Sequence, residues 1–445
     1  MINLIERLDV PSTDFIRSQK IVGMKIPTVV IHDDGFLPSE LDSPIKYYCG
    51  FTKKGQPLYF DKLPLPKFWR LAATGSKAEV FDLDQKRAEI FYKKNDNSRL
   101  IKEVHWLNNE GKISWIDHYN SDGLRYAQTF YNKQQPILRK YYDAAGKVVI
   151  ENNMAVGDFY LKYKGIKRHF KNLIDFIIYY LKDYGYQLDH IFYNTLNESL
   201  SVSLNLNEPG IDTLFWHEAG NHELPENMTY LMNVKTRTKH IVYQRYDEWL
   251  KNKKIIPSDT GNIDFQYTGM VYPHPRSNKM RPKALIFTNS DQIEKLKELV
   301  TGMPQIHFTI AAITEMSDKL LSFDKYSNVT LYPTVKPKRI KALIKENDFY
   351  FDINYGNEIL SAVRAAFEQN MLIIGFKDTL HNPQFIAPEN VFEADQIEQI
   401  KDLVDSALSN VSRMKTYIDR QRKSASDIAV NVFEQRMKEL QNESV

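Results

Sequence analysis

A turn signal recurs at nearly constant spacing in the first third of the chain and constrains the fold more than any other feature. An aromatic residue followed by Asn or Asp, and usually by Gly, places Asn108, Asn120, Asn132 and Asp143 at intervals of 12, 12 and 11 residues. Short segments rich in Tyr, Trp and Phe lie between these turns. A strand and a tight turn repeated at this interval predict an antiparallel meander over residues 46–160.

The same alternation predicts a stripe of large apolar side chains on one face of this sheet. Its members are Val104, Trp106, Ile113, Trp115, Tyr119, Tyr126 and Phe130. A patch of exposed aromatic side chains is usually buried against another protein surface, so two interpretations stay open. The stripe packs against a neighbouring domain or the opposite face, or it forms a surface for a partner protein.

Strand and helix patterns alternate on both sides of the predicted sheet, as expected for α/β domains. Residues 2–8 have apolar side chains at helical spacing, and residues 28–31 form an apolar run that ends in the polar loop 32–38. Further alternation extends from residue 167 to about residue 270. A proline cluster at residues 272–276 then indicates a linker, because proline stiffens the chain and stops a helix.

Beyond the linker, buried strands again alternate with helices, which predicts a second parallel, doubly wound sheet. The expected strands are residues 284–288, 306–311, 329–332, 349–353 and 372–375, followed by a charged helical tail over residues 394–440. The predicted fold class is α/β, with two Rossmann-like doubly wound domains and an inserted antiparallel β-meander domain. The predicted boundaries are residues 1–45 and 161–272 for the first Rossmann-like domain, 46–160 for the insert and 273–445 for the second Rossmann-like domain.

Length, charge and cysteine content exclude several classes of protein. A chain of 445 residues is too long for one hydrophobic core. Its 59 Lys and Arg against 56 Asp and Glu give a formal charge of +3, too small for a nucleic-acid binder. We expect neither a signal peptide nor a membrane span, because charges interrupt the apolar segments. The single Cys49 excludes an internal disulfide and a multi-cysteine zinc site, and the expected location is the cytoplasm.

The expected ligand site is the cleft between the two doubly wound halves, at the carboxyl ends of their strands. A diphosphate there would need a glycine-rich turn or paired cations. Residues 288–295, after the first strand of the second half, offer a helix cap at Ser290 or Asp291 and no paired cations. Asp291 and Glu294 would repel a diphosphate. We therefore expect no cofactor in this cleft.

Residues 351–375 resemble the sugar-nucleotide region of GT-B retaining glycosyltransferases with its carboxylates missing. In that family a loop Glu and a helix Glu eight residues later grip the sugar and ribose hydroxyl groups. Counting back from the following turn and strand places Asn357 and Ala365 at these two positions. With the register shifted by one, Glu358 fills the first position and Ala366 leaves the second empty. A methyl group accepts no hydrogen bond, so either alignment loses the donor grip.

Another polar cluster, residues 216–223, follows a predicted strand and contains two His and two Glu. The spacing of five between His217 and His222 does not put both rings on one face of a helix, and Gly220 indicates a loop. A metal site is therefore disfavoured. The segment is either a cleft loop, with Trp216 and His217 near a bound chain, or a solvated loop.

Two basic segments, residues 162–171 and 336–341, flank predicted core helices. Such segments are usually solvated faces, and contact with a membrane surface or an acidic partner is the alternative. No Gly-x-Ser-x-Gly turn occurs, and Cys49 has no recognisable partner, so no catalytic nucleophile is predicted.

The chain as a whole resembles the GtfB family. The resemblance rests on residues 29–38 followed by Ser43-Pro44, on residues 214–218, on Asn227-Met228 and on residues 351–354. It implies a GT-B fold with an inserted antiparallel sheet, and a hetero-oligomer with a catalytic glycosyltransferase subunit, GtfA. Such a pair attaches N-acetylglucosamine from UDP-N-acetylglucosamine to Ser and Thr of serine-rich repeat adhesins before accessory Sec export.

Within such a complex, the resemblance implies a non-catalytic subunit that acts as a chaperone and binds the polypeptide acceptor, with the inserted sheet as the docking surface. Our candidates for acceptor binding are Trp216, His217, Glu218, His274, Asn354, Asn357 and Glu358, and the degenerate donor site is marked by Asn357 and Ala365. Two alternatives stay open. One is an active GT-B glycosyltransferase with an atypical donor site, and the other is a scaffold without affinity for the acceptor.

Overall fold

The structure is a computed structural model that describes residues 1–51, 55–94, 99–219 and 223–442. The chain opens with β1 (Ile2–Ile5), α1 (Val10–Ile21), β2 (Thr28–Val30) and α2 (Pro44–Cys49). The helix predicted at the start is wrong, because residues 2–5 form a strand. β1 lies between two parallel strands and is buried along its whole length, so it lacks the alternation of a half-exposed strand.

Ten strands follow in the described part of the chain and form one antiparallel sheet in chain order. They are β3 (Arg70–Ala73), β4 (Lys77–Asp82), β5 (Gln85–Tyr92), β6 (Ile101–Leu107), β7 (Ile113–Tyr119), β8 (Arg125–Asn132), β9 (Gln135–Tyr142), β10 (Val148–Asn153), β11 (Asp158–Tyr163) and β12 (Ile166–Phe170). The predicted meander is confirmed. It continues past residue 160 to Phe170, while α2 packs into the first parallel unit through Ile45 and Tyr48. The division of the chain into domains stays a prediction.

Side-chain caps explain the repeated turn signal. The Oδ1 atoms of Asn108, Asn120 and Asp143 each accept hydrogen bonds from the backbone amides two and four residues later, at 2.9 to 3.1 Å. The turn after β8 is different, because Lys133 and Gln134 both have left-handed φ values, 47° and 64°. Those values suit a two-residue hairpin turn. A short acceptor side chain at the start of three turns therefore produces the spacing seen in the sequence.

The predicted aromatic stripe is divided between two faces of the sheet. Trp106, Trp115 and Phe130 are cross-strand neighbours, and the rings of Trp106 and Trp115 stack at 5.8 Å. A shift of register in β8 turns Tyr126 to the opposite, inner face, where it joins the core of the first parallel unit. One extra residue in a strand reverses the side-chain alternation, which is why the pattern placed Tyr126 on the wrong face.

After the meander the chain completes the first parallel sheet. It forms α3 (Leu173–Tyr184), β13 (Ile191–Tyr193), α4 (Glu198–Asn205), β14 (Asp212–Trp216), α5 (Glu226–Asn233), β15 (Thr238–Tyr243), α6 (Tyr246–Asn252) and β16 (Asp264–Tyr267). The strand order is β16-β15-β14-β13-β1-β2, with all pairs parallel. The inner face of the meander packs against α3, where Phe159 stacks on Phe176 at 5.3 Å.

The second parallel unit begins after the proline-rich linker. It contains β17 (Lys283–Thr288), α7 (Leu296–Gly302), β18 (His307–Ala312), α8 (Asp318–Leu321), β19 (Val329–Tyr332), α9 (Pro337–Glu346), β20 (Phe349–Asp352), α10 (Ala362–Glu368), β21 (Leu372–Phe376) and β22 (Val391–Phe392). Its strand order is β19-β18-β17-β20-β21-β22. The predicted α/β class with two doubly wound halves is confirmed.

Three helices close the chain: α11 (Ile397–Ser409), α12 (Val411–Ser424) and α13 (Val430–Asn442). The last of them crosses back to the first half, where Phe433 and Met437 pack with Phe15 and Phe192. Within the described ranges, no helix combines the length and the apolar character that crossing a membrane requires.

Candidate functional site

The strand order of the second sheet reverses between β17 and β20, and doubly wound sheets bind ligands at the carboxyl ends of such a strand pair. Here the loops that follow the two strands pair with each other. Glu294 N donates to Ile353 O at 2.8 Å, and Tyr355 N donates to Gln292 O at 3.0 Å. The Tyr355 hydroxyl also donates to Glu294 at 2.6 Å. The loops thus meet across the place where a nucleotide would bind.

Gly356 allows the closest approach of these two loops. A Cβ atom at this position would lie 2.1 Å from Asn289 Oδ1. Asn354 is 3% exposed; its Oδ1 accepts from the Gly356 amide at 3.0 Å and lies 2.9 Å from the Thr288 hydroxyl. The carboxyl ends of β17 and β20 are therefore occupied by hydrogen bonds within the chain.

An ion pair between Asp352 and His381 holds the other side of this loop. His381 Nδ1 lies 2.5 Å from Asp352 Oδ1, and its Nε2 lies 2.6 Å from the Gly356 carbonyl oxygen. Both ring nitrogens need a proton to donate in these contacts. The hydrogen bond to Asp352 raises the pKa of His381 to about 9, against the opposing effect of burial. The loop is thus held by its own side chains.

The two positions predicted for the donor carboxylates lie on either side of the start of α10. Asn357 is exposed, and Ala365 is half-buried on the helix. Glu358, the alternative for the first position, accepts a hydrogen bond from the Val363 amide at 3.0 Å, and burial raises the pKa of its carboxyl. Glu358 therefore caps α10, and the loss of the donor grip stays a prediction.

Arg364, one residue before Ala365, joins α10 to the first half of the molecule. Its guanidinium contacts both carboxylate oxygens of Asp14 on α1, one of them at 3.0 Å, and donates to Glu368 at 3.0 Å. Arg17 on α1 donates to the same Glu368 at 2.8 Å. These four charged residues form the α1–α10 ion cluster, in which Asp14 is only 3% exposed.

A cleft of about 740 Å³ lies between the two halves beside this cluster. Its first wall comes from α1 and from the loops after β14 and β15, and its second wall comes from residues 382–388 and from the end of α12. This volume is sufficient for a small ligand or for part of an extended chain.

Two buried side chains in the first wall have unused hydrogen-bonding capacity. Gln244 is 1% exposed and His217 is 9% exposed, and neither Gln244 Nε2 nor His217 Nδ1 has a partner among the described residues. His217 Nε2 lies 3.4 Å from Asp9 Oδ2. Burial raises the pKa of Asp9, but hydrogen bonds from His217 and Ser12 outweigh it and hold the pKa below its ordinary value. Buried polar atoms without partners are costly, and both residues line the cleft.

The other predicted acceptor residues of this region have different surroundings. Trp216 ends β14 and is 5% exposed in the core of the first half, whereas Glu218 is exposed. His274 Nε2 lies 2.8 Å from Asp427 Oδ2, and its ring contacts Phe367 at 5.3 Å. His274 thereby ties the linker to the turn after α12. The acceptor role of these residues stays a prediction.

Asn354, Asn357 and Glu358 belong to the loop after β20 and do not line the cleft described above. Gly220 and His222, whose positions in the sequence disfavour a metal site, lie outside the described residues. Of the seven acceptor candidates, His217 is the one that lines this cleft.

Sequence reasoning missed Gln244 and the α1–α10 ion cluster. Gln244 directly follows an apolar strand, and the preference of ligands for the carboxyl ends of parallel strands could have identified it. Asp14 and Arg364 are 350 residues apart, so no local pattern links them.

Four models of related domains match successive parts of the chain. The GtfB N-terminal domain matches residues 2–48, and the GtfB middle domain matches residues 69–171. The GtfB third domain matches residues 173–255, and the GftB/GlyA-F C-terminal domain matches residues 284–421. The middle-domain match covers the strands of the meander.

Curated relatives match this chain along its whole length. The UDP-N-acetylglucosamine–peptide N-acetylglucosaminyltransferase stabilizing protein GtfB of Limosilactobacillus reuteri subsp. suis is 51% identical, covering 100% of each chain. The protein of the same name from Streptococcus gordonii is 37% identical, covering 99% of each chain.

A solved structure agrees with these matches. A chain in the crystal structure of a GtfA/B complex bound to UDP and GlcNAc aligns with a TM-score of 0.92 and 36% identity, covering 99% of each chain. The predicted GT-B type of fold and the predicted family are thereby confirmed. The protein described here belongs to the GtfB family.

Proposed function

We propose that this chain is the non-catalytic, stabilising and acceptor-binding subunit of a protein O-GlcNAc transferase complex whose catalytic subunit is a GtfA-type glycosyltransferase. The observation that carries this proposal is the pairing of the loops after β17 and β20. A donor nucleotide would need that space. Backbone groups that are hydrogen-bonded to each other within the chain are not available to bind a donor or to stabilise its transition state.

The relatives support the same assignment. The full-length matches are named as stabilising proteins of a UDP-N-acetylglucosamine–peptide N-acetylglucosaminyltransferase. The solved structure with the TM-score of 0.92 is that of a GtfA/B complex. A hetero-oligomer with a catalytic partner is therefore the expected working state of this chain.

The cleft between the halves is the proposed acceptor site. A Ser- and Thr-rich polypeptide has few large side chains, so its recognition depends on hydrogen bonds to backbone and hydroxyl groups. The unpaired Gln244 Nε2 and His217 Nδ1 offer such contacts. Each contact is weak, but a long repetitive acceptor presents many copies, and the effective concentration of neighbouring repeats raises the overall affinity.

The transfer of labelled N-acetylglucosamine to a Ser- and Thr-rich polypeptide tests the proposal. The protein alone, the catalytic partner alone and their mixture are compared at equal concentration. Strong transfer only in the mixture is the expected result. Transfer, or hydrolysis of UDP-N-acetylglucosamine, by this chain alone would contradict the proposal and favour an active glycosyltransferase with an atypical donor site.

Acceptor binding is tested with cleft variants in the absence of the partner. We expect Gln244→Met and His217→Ala each to weaken binding of the polypeptide about 3- to 10-fold, the value of one hydrogen bond. Gln435→Met, at an exposed position of α13 that does not line the cleft, is the matched control and should change binding less than about 2-fold, within the usual range for an exposed side chain. Biolayer interferometry with immobilised acceptor measures all three.

Two results would contradict the acceptor assignment. Unchanged binding by both cleft variants would remove the cleft from the site. No affinity of the unaltered chain for the acceptor would favour the scaffold interpretation, in which the chain acts only by stabilising its partner.

Contact with an acidic membrane surface belongs to the same proposal. It is supported by the edge strand β12, where Lys167 and Arg168 are exposed together with the neighbouring Lys164 and Lys171. Clustered Lys and Arg bind anionic lipid surfaces. Co-sedimentation with anionic but not with neutral vesicles is the expected result, and equal recovery with both would contradict it.

A further inference from the structure

A second cavity, of about 490 Å³, lies between the first parallel unit and the inner face of the meander. It is separate from the cleft between the halves, since the two share no lining residue. Its volume is within the range of sites for small organic ligands. Nothing in the proposed acceptor role uses this cavity.

The strand register brings polar residues together on the meander side of the cavity. Thr129, Arg139 and Asn152 lie side by side on β8, β9 and β10. Glu103 and His118 lie opposite each other on β6 and β7. Pairing between neighbouring strands thus builds a polar strip across the inner face of the sheet, where apolar side chains would otherwise be expected.

The opposite side of the cavity comes from the carboxyl ends of the first sheet. Arg7 follows β1 and His32 follows β2, and both line the cavity. The Asp33 side chain accepts from the Gly35 amide at 2.8 Å and from the Ser43 hydroxyl at 2.6 Å. The residues after β2 are therefore fixed by their own hydrogen bonds.

The carboxylates around the cavity already have partners within the chain. Asp34 forms an ion pair with Lys102 at 2.6 Å. Glu103 contacts His105 at 2.9 Å and His118 at 3.4 Å, and these hydrogen bonds hold the pKa of the Glu103 carboxyl well below its usual range. Paired charges of opposite sign cancel at short range.

The two guanidinium groups of the wall, in contrast, lack carboxylate partners among the described residues. Arg139 donates its Nε to the Thr129 hydroxyl at 2.7 Å, and neither Arg7 nor Arg139 forms an ion pair in the described part of the chain. Asn152 Oδ1 is buried and likewise has no hydrogen-bond partner there. The Asn152 oxygen accepts a hydrogen bond and suits a hydroxyl group of a ligand, whereas the two guanidinium groups are cationic donors that suit an oxygen-rich anionic group.

A metal is the competing occupant, because the possible ligand atoms of Glu6, His32 and Glu198 lie within 4.8 Å of one another. Two observations disfavour it. The Thr195 hydroxyl already donates to Glu6 at 2.6 Å. The positive charge of Arg7 near His32 would repel a metal cation.

We propose that this cavity binds a small organic anion, with Arg7 and Arg139 contacting its carboxylate or phosphate group. Arginine presents several N–H donors in a planar fork that matches both groups. Phe159 and Phe176 in the same cavity provide an apolar surface for the rest of the molecule. The proposed anion site is separate from the proposed acceptor cleft, and anion binding does not depend on that cleft.

Isothermal titration calorimetry on the full chain at low salt tests the proposal with three probes that share one ring. Glucose 1-phosphate carries a phosphate, glucuronate carries a carboxylate, and glucose carries no charge. We expect at least one anion to bind, more weakly at higher ionic strength, and glucose not to bind. Binding of only one anion identifies which group the site accepts.

Variants locate the binding in the cavity. Arg7→Met changes an exposed side chain and should weaken anion binding about tenfold or more, as should Arg139→Met if it folds. Arg125→Met, at an exposed position of the same sheet, is the matched control and should bind as the unaltered chain does. Glucose binding as tightly as the anions, no binding of any probe, or unchanged binding by Arg7→Met would each overturn the proposal.

Discussion

The pair of Asp352 and His381 makes one loop sensitive to pH. Because the pKa of His381 rises from 6.5 to about 9 in the folded chain, its protonated ring stabilises the fold fully below about pH 6.5. That contribution is lost as pH rises through 9. The ring contacts the Gly356 carbonyl oxygen in the loop after β20, and this loop pairs with the loop after β17.

Between pH 6.5 and pH 9.5, we expect the free energy of unfolding of the unaltered chain to fall by about 1 to 2 kcal/mol more than that of the His381→Asn variant. This range allows for solvent screening of the ion pair. Urea unfolding at several pH values measures this difference. Asp352→Asn removes the same ion pair and should show the same reduced dependence. An equal pH dependence in all three proteins would contradict the raised pKa of His381.

At the scale of elements, the turns of the meander differ in what packs on them. Gly111 and Gly123 have nearly equal left-handed φ values, 75° and 71°. A Cβ atom at Gly111 would meet nothing within 4 Å, whereas one at Gly123 would lie 2.3 Å from the Gln56 carbonyl oxygen. The second turn therefore supports the segment that leads into the meander.

This pair of glycines provides a matched test. Gly111→Ala should cost about 1 kcal/mol of stability through backbone strain alone. Gly123→Ala should cost about 3 kcal/mol or more, because the backbone of the packed segment must also move. Thermal unfolding followed by circular dichroism compares the two. Equal losses would show that residues 55–58 do not pack against the turn as described.

At the scale of the whole molecule, the α1–α10 ion cluster joins the two halves beside the cleft. Asp14 is 3% exposed, so removal of its arginine leaves a buried charge without a partner. The side chain of Arg17, in contrast, is 43% exposed, and exposed ion pairs contribute little. We therefore expect the contact between Asp14 and Arg364 to provide most of the stabilisation that the cluster contributes.

We expect Arg364→Met to lower the unfolding free energy by about 3 to 5 kcal/mol and to increase the radius of gyration by loosening the halves. Arg17→Met is the control and should cost less than about 1 kcal/mol. Small-angle scattering and urea unfolding measure the two effects. The double variant Asp14→Asn with Arg364→Met should recover part of the loss; no recovery would contradict the role of the buried charge.

Local sequence patterns were sufficient to predict the classes of the main elements. The repeated Asn and Asp residues predicted the meander because three of the four turns are closed by side-chain contacts within four residues. The alternation of apolar runs and helices predicted both doubly wound halves. The first strand and Tyr126 were placed incorrectly, since burial on both faces and a change of register leave no local periodic signal.

The sequence by itself determined the order of elements, the positions of the turns and the absence of carboxylates at Ala365 or Ala366, because each depends on residues close together in the chain. Tertiary structure alone decided that the loops after β17 and β20 pair, that Arg364 reaches Asp14, and that Arg7 and Arg139 line one cavity. Those contacts join residues 59 or more positions apart. Their geometry follows from how the sheets pack, and no short segment of the sequence specifies it.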